Sequence, residues 1–254
     1  MRSNRGSNVH EYVRRFFAVP FRRQTYRNLA YLLLAFPLGL GYFVFAVVGF
    51  TVGLGLLILL IGALILGLTI VFGLALASVD RLMTNWILGT DITGRTELDG
   101  ETRGARLKSL ALDRRTWTAL LYLPVKFGLG LVGLIVIFVG FSTAGAMLMV
   151  PIYYNRPGLY VGVLTDRAPE ITQTLHLGWN YLLVTIEGAV TIGYWEITSF
   201  LSAVVVAIAG VFVFLITLHL CNGLAWGWVR YATWSMDGGF DVLGALSDAT
   251  EDDG

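Results

Sequence analysis

Charge is what this chain of 254 residues has least of: Asp, Glu, Lys and Arg together make up 14%, against about a quarter in an average soluble domain. The deficit is concentrated, because no charged side chain occurs from Asn28 to Val79. Cysteine is nearly absent too. Cys221 is alone and sits in an apolar run, which excludes an internal disulfide and a multi-cysteine metal site and leaves packing as its role. Lysine is confined to Lys108 and Lys126 among many arginines. No paired carboxylates, metal-ligand cluster or nucleophile–base set can be picked out. No catalytic, cofactor-binding or metal-binding residue is therefore expected, and the chain is read as not an enzyme.

Two motif spellings fail for want of context. Gly128-x-Gly130-x-x-Gly133 matches the dinucleotide fingerprint, but that motif needs a strand before it and a soluble crossover around it. Inside an apolar span, glycines let neighbouring helices approach closely. Gly94, Gly100 and Gly104 are not followed by the Gly-Lys-Ser/Thr of a phosphate-binding loop. His10-Glu11 has the spelling of a kinase phospho-acceptor pair, yet no soluble segment is long enough for an ATP-binding domain. It reads as a surface histidine.

What is present is apolar: 56% of residues are hydrophobic and the mean hydropathy is +0.71. As one straight helix, the uncharged stretch from Asn28 to Val79 would reach roughly 75 Å, more than twice the hydrocarbon thickness of a bilayer. It must fold back. The three glycines of Gly49–Gly55 place the turn there, which predicts helices over about Leu29–Val48 and Leu54–Ala77.

Before this hairpin, residues 1–27 carry seven arginines against the single acid Glu11, with Tyr12, Phe16, Phe17 and Phe21 interleaved. That is the pattern of an interfacial helix held at the cytoplasmic side. After it, Ser78–Gly89 is amphipathic, with Trp86 suited to an interface, and Thr90–Arg115 is a polar, arginine-bearing loop assigned to the same side. A second apolar segment spans Trp117–Pro151, with Lys126 placed near its cytoplasmic end, where it can snorkel. Pro151–Glu196 is the sizeable outer segment, and Arg156 and Arg167 are its only basic residues. Leu159–Leu164 and Tyr181–Ile186 read as strands, with a turn at Glu187–Ala189 leading into Val190–Trp195. Together they predict a small β-rich cap, with Tyr153, Tyr154, Trp179, Tyr194 and Trp195 near the outer interface as candidate sensing residues. A fourth helix starts near Ile197. His219 lies close to its cytoplasmic end and reads as a hydrogen-bonded packing residue.

A shift of 91 residues superposes Thr25-Tyr26 on Thr116-Trp117, Tyr31-Leu32 on Tyr122-Leu123, and Phe36, Leu38-Gly39-Leu40 and Gly49-Phe50 on Phe127, Leu129-Gly130-Leu131 and Gly140-Phe141. The exits correspond as well: Arg81, Thr84 and Gly89 with Arg230, Thr233 and Gly238. A duplicated hairpin is implied, with the copies expected to be parallel about an axis along the membrane normal. Arg81, Thr84, Arg230 and Thr233 then become a candidate pseudo-symmetric surface for docking a partner.

The fold class expected is an all-α integral membrane protein of four transmembrane helices, arranged as two parallel-repeat hairpins with a small β-rich extracytoplasmic insertion. The chain divides into a basic cytoplasmic amphipathic segment (1–27), a first transmembrane hairpin with its amphipathic exit (28–90) and a cytoplasmic loop (91–115). A second transmembrane hairpin (116–236) follows, carrying the outer cap (151–196), and an acidic disordered tail (237–254) ends the chain.

Tyr31–Leu40, the Asp80-Arg81 to Leu88-Gly89 exit, the Asp113–Trp117 restart and Val150-Pro151-Ile152-Tyr153-Tyr154 resemble the putative sensor domain family. Its members are membrane modules found ahead of histidine kinase regions in actinobacteria and as separate haloarchaeal proteins. The resemblance covers about residues 25–240. It implies a four-helix sensor or signal-input module at the cell membrane, with no biochemical activity. The acidic tail and scarce lysine fit a halophilic archaeal source. The partners expected are the lipid bilayer, a separate cytoplasmic kinase or another membrane protein, and a second copy of the chain; nucleic acid is not among them. A transporter, a transporter accessory subunit or a structural subunit of a membrane complex is the rival class. Against a transporter stand the absence of any charge expected near the midplane and Pro37 as the one proline deep in a helix.

Overall fold

The computed structural model describes residues 11, 14–96, 108–110, 112–155, 160–162, 170–179, 182–191, 194–197, 199–245 and 247, with the strand residues between 160 and 196 described by their backbone. It is mostly helical. Helices α1 (Arg23–Gly55), α2 (Ile61–Leu88), α3 (Arg114–Tyr153) and α4 (Phe200–Met236) are each long and apolar enough to cross a membrane, the pattern of a multi-pass membrane protein. The chain forms two compact units, residues 1–141 with 215–254, and residues 142–214.

In the larger unit α1 and α2 form the expected hairpin, but the turn lies later than the glycines suggested. Helix α1 continues through Gly49, Gly53 and Gly55, and the chain reverses over Leu56–Leu60. The glycines serve contact instead. A Cβ on Gly49 would lie 2.6 Å from Thr69 Cγ2, and one on Gly53 would lie 2.6 Å from Leu66 Cδ2, so their hydrogens are what let the two arms touch. The left-handed residue of the turn is Leu60, at φ 59°, a conformation that costs an L-residue roughly 1–2 kcal/mol.

Helices α1 and α3 meet at reciprocal glycines. A Cβ on Gly39 would lie 2.5 Å from the Phe127 backbone nitrogen, and one on Gly130 would lie 2.5 Å from Phe36 N. Leu32 packs on Gly133, its Cδ2 3.2 Å from where a Cβ would lie, and Phe50 reaches Trp117 with ring centroids 6.1 Å apart. Residue numbers rise along α1 as they fall along α3, so the two helices cross in the antiparallel sense, and the parallel order expected from the repeat is not the order of these contacts. The reason is geometric. A shift of 91 carries Phe36 to Phe127 and Gly39 to Gly130, and a two-fold axis perpendicular to the helices exchanges the two glycine contacts as well as an axis along them would. Sequence equivalence does not fix the direction of the axis.

The core of this unit gathers Tyr31, Tyr42, Leu74, Tyr122, Leu123, Trp228, Ala232 and Met236. Beside it, strands β1 (Gly94–Arg95) and β6 (Gly239–Phe240) pair in parallel. Residues 237–245, the start of the segment read as a tail, pack on this unit: Asp241 and the Val242 amide find partners on α2 at Arg81, 2.5 Å away, and Ser78, 3.2 Å away. Residues 248–254 lie outside the described residues.

In the smaller unit, β2 (Tyr160–Gly162) pairs antiparallel with β5 (Tyr194–Glu196), and β3 (Glu170–Trp179) with β4 (Leu182–Thr191). The turn expected at Glu187–Ala189 is absent. Those residues continue β4 because Thr174, Gln173 and Thr172 of β3 pair with them. Val150, Ile197, Ala203 and Val206 form this unit's apolar cluster.

Candidate functional site

A fully buried polar network lies among the helices of the larger unit. Asp80 is eight residues, about 12 Å, from the end of α2, and Lys126 is twelve residues, about 18 Å, inside the start of α3. Both are fully buried and form an ion pair. The expectation that Lys126 snorkels to the surface is therefore corrected, and the pair puts charge in the interior of the helices. The stem of Lys126 has no route outward, since its head is held by Asp80 and, at 3.2 Å, by the Tyr31 hydroxyl. Pro124 lies inside α3 beside it, so Pro37 is not alone within a helix either.

Every atom of the pair is provided for. Tyr122 donates to Asp80 Oδ2 at 2.6 Å and Tyr42 to Asp80 Oδ1 at 3.3 Å. The Trp228 indole N–H is shared between the hydroxyls of Tyr31, 2.8 Å, and Tyr122, 3.1 Å. The Tyr31 hydroxyl also meets Thr84 Oγ1 at 3.1 Å. Removing two charges from water costs several kcal/mol per ion, offset only where geometry is good and the remaining lone pairs and protons are used. Here α1 supplies Tyr31 and Tyr42, α2 Asp80 and Thr84, α3 Tyr122 and Lys126, and α4 Trp228. One network thus fixes the register of all four helices. Tyr31 and Tyr122 are the tyrosines the repeat superposes, whereas the charges fall on unmatched positions, which makes the site asymmetric.

Arg81 follows Asp80 and turns to a different partner. It is 4% exposed, pairs with Asp241 at 2.5 Å, and its guanidinium lies over Gly94, where a Cβ would collide with it. The segment after α2 is shaped by Asn85, which accepts from the Ile92 amide at 3.0 Å and donates to its carbonyl at 3.0 Å. Thr93 donates from its amide and hydroxyl to Asp237 Oδ1 at 3.3 and 3.0 Å, and its carbonyl accepts from the Gly238 amide at 2.9 Å. Arg115 donates to the Gly238 carbonyl at 3.0 Å. Residues 237–242 are thereby clasped against α2 and the start of α3.

The structure separates the four residues read as a docking surface. Arg81 and Thr84 are buried; Arg230 and Thr233 are exposed, Arg230 over the Trp226 ring at 4.8 Å and Thr233 bonded to the Val229 carbonyl at 2.9 Å. Of the outer aromatics, Tyr153 donates to the Ala146 carbonyl at 2.9 Å and Tyr154 packs edge-on to Phe200 at 5.5 Å. Trp179, Tyr194 and Trp195 stand in strands, opposite Leu182, Gly162 and Val161. His219 stacks on Phe16, ring centroids 4.6 Å apart, with Nε2 3.3 Å from its carbonyl oxygen.

Among the described residues no group of three or more His, Cys, Asp or Glu side chains is placed to hold a metal ion. The missed signal was readable: Tyr122 and Lys126 share a helix face four residues apart, and Asp80 is the first acid after a long uncharged run. Neither curated proteins nor solved structures give a match. The family described as Putative sensor matches residues 10–234, which take in α1 to α3, all but the last two residues of α4 and every residue of the buried network. On that match the chain belongs to the Putative sensor family.

Proposed function

We propose that this protein is a non-enzymatic membrane signal-input module whose switching element is the Asp80–Lys126 network and whose output is the clasp on residues 237–242, read by a separate cytoplasmic effector. One observation carries the reading: Asp80 and Arg81 are consecutive on α2, the first bonded into the helix interior and the second to the C-terminal segment. Successive helical side chains differ in direction by about 100°. A small rotation of α2 that disturbs one ion pair therefore disturbs the other, and a closely packed core resists such a rotation until it yields as a unit. The strands between residues 160 and 196 would form the extracytoplasmic cap that receives the stimulus, with the larger unit a duplicated hairpin that has acquired its charges asymmetrically.

In this proposal both termini and the segment after α2 are cytoplasmic, on the distribution of arginine. Two helices crossing in the antiparallel sense enter from one face only if they lean closer to the membrane plane than to its normal. At 33 and 40 residues, α1 and α3 reach about 50 and 60 Å and have the surplus length for such a tilt.

The buried ion pair favours one second reading, a transporter, since ionisable groups within membranes commonly line ion paths. A paired comparison separates the two. Replacing the chromosomal gene by an Asp80→Asn allele should change the same cytosolic phosphorylation or expression profile as deletion does, while purified wild-type protein in liposomes shows no flux of protons or sodium. Flux that Asp80→Asn abolishes, with no altered profile, would establish the transporter instead.

A further inference from the structure

We propose that the tip of the α1–α2 hairpin is a lipid-contacting surface that stays within the hydrocarbon of the bilayer and does not emerge into water. Three independent observations lead there. The first is side-chain chemistry. Leu56–Ile61 is an unbroken apolar run at a chain reversal, and its side chains point outward: Ile58 is 93% exposed, Leu60 82% and Leu59 62%. A turn in water favours Asn, Asp, Gly, Ser or Pro at such positions. This one places Leu60 at positive φ, where asparagine or glycine would serve a solvated loop better.

The second is the backbone. Across the reversal the Leu59, Leu60, Gly62 and Ala63 amides find carbonyl partners within Leu56–Leu60, at 3.0 to 3.2 Å, and the Leu56 amide bonds back to the Val52 carbonyl of α1 at 3.0 Å. An unbonded amide in hydrocarbon costs several kcal/mol, which is why irregular backbone is normally excluded from lipid. A 3-10 turn at Leu57–Leu59 into which the following amides bond back lowers that cost. Gly62 has no side chain because a Cβ there would strike the Gly53 carbonyl and the Leu57 amide, so the tip is closed tightly around its own hydrogen bonds.

The third is length and anchoring. Between Arg27 and Leu56 the helix extends about 44 Å, against a hydrocarbon core of about 30 Å. Standing upright, it would push its most apolar residues into water. Interfacial anchors occur at the open end of the hairpin, where Tyr26 and Trp86 are exposed and Arg27 donates to the Trp86 carbonyl. No Trp, Tyr, Lys or Arg occurs from Phe43 to Val79, so the hairpin carries no interfacial anchor of its own at the tip, and Trp117 of α3 meets it at Phe50, six residues before Leu56. A hairpin anchored at one end, too long to stand upright and apolar at its tip fits lipid acyl chains as the occupant of that surface.

The test uses single cysteines at Ile58 and Leu59 in a Cys221→Ala background, with Asp91→Cys, exposed in the segment after α2, as reference. The protein is placed in lipid nanodiscs, where a membrane-impermeant maleimide reaches both bilayer faces. The tip thiols should react at least about tenfold more slowly than Asp91→Cys, and reach comparable rates once unfolded in SDS. A fluorophore on either should be quenched by lipids brominated in mid-chain and spared by aqueous iodide. A ratio below about tenfold at both tip positions, or quenching by iodide, overturns the proposal.

Discussion

Asp80 and Arg81, neighbours in α2, bury opposite charges against different partners: Asp80 against Lys126 in the helix interior, and Arg81 against Asp241, 2.5 Å away, in the C-terminal segment. A membrane helix that carries two adjacent buried ions is costly unless both are paired. The dipeptide therefore ties the state of the interior to the position of the tail, and the predictions below follow from that tie and from the packing around it.

Removing one partner of the interior pair should be worse than removing both. Asp80→Asn and Lys126→Met should each lower stability by about 3–5 kcal/mol, because each leaves an uncompensated buried ion, while the double variant should recover much of the loss. Thermal unfolding in a mild detergent measures the three. Additive losses in the double variant would show that the two side chains do not act as a pair.

Glycines should divide by what faces them. Gly39→Ala and Gly130→Ala drive a methyl into the backbone of the facing helix and should cost about 1–3 kcal/mol. Gly41→Ala and Gly128→Ala, with nothing within 4 Å of the added atom, should be neutral or stabilise by up to about 1 kcal/mol through helix propensity. Equal effects at the four positions would contradict the antiparallel contact of α1 and α3.

Sidedness is checked by impermeant thiol labelling of intact cells. Asn155→Cys should react and Asp91→Cys should not until the membrane is permeabilised; both residues are exposed. Equal labelling in intact cells would reverse or divide the proposed topology.

The apolar helices were legible in the sequence because an uncharged run from Asn28 to Val79 has no alternative to a membrane. The turn of the first hairpin was misplaced because Gly49 and Gly53 look alike as turn formers and as contact residues; which they are depends on Thr69 and Leu66, distant in sequence. The strand Glu170–Trp179 was missed, although Ile171, Leu175, Leu177 and Trp179 fall on alternate positions, the period of a strand. Lys126 and Asp80 were misread for a physical reason. An isolated charge at a helix end snorkels, and only the convergence of Tyr31, Tyr42, Tyr122 and Trp228 from the other helices turns those positions into an interior site. The packing of residues 237–245 was hidden likewise, since acidic composition suggests solvation until Arg81 is seen to pair with Asp241.

The most direct test of the link between interior and tail is a distance between spin labels at Arg230→Cys and Ser247→Cys in a Cys221→Ala background, measured by double electron–electron resonance in nanodiscs. With the network intact, one narrow distribution is expected. Lys126→Met, which leaves Arg81 and Asp241 untouched, should broaden it and shift it to the same values as Arg81→Gln, because an unpaired Asp80 drags its neighbour out of the clasp. If Lys126→Met leaves the distribution narrow and unmoved while Arg81→Gln releases the tail, the interior pair and the clasp are independent, and the switching account is wrong.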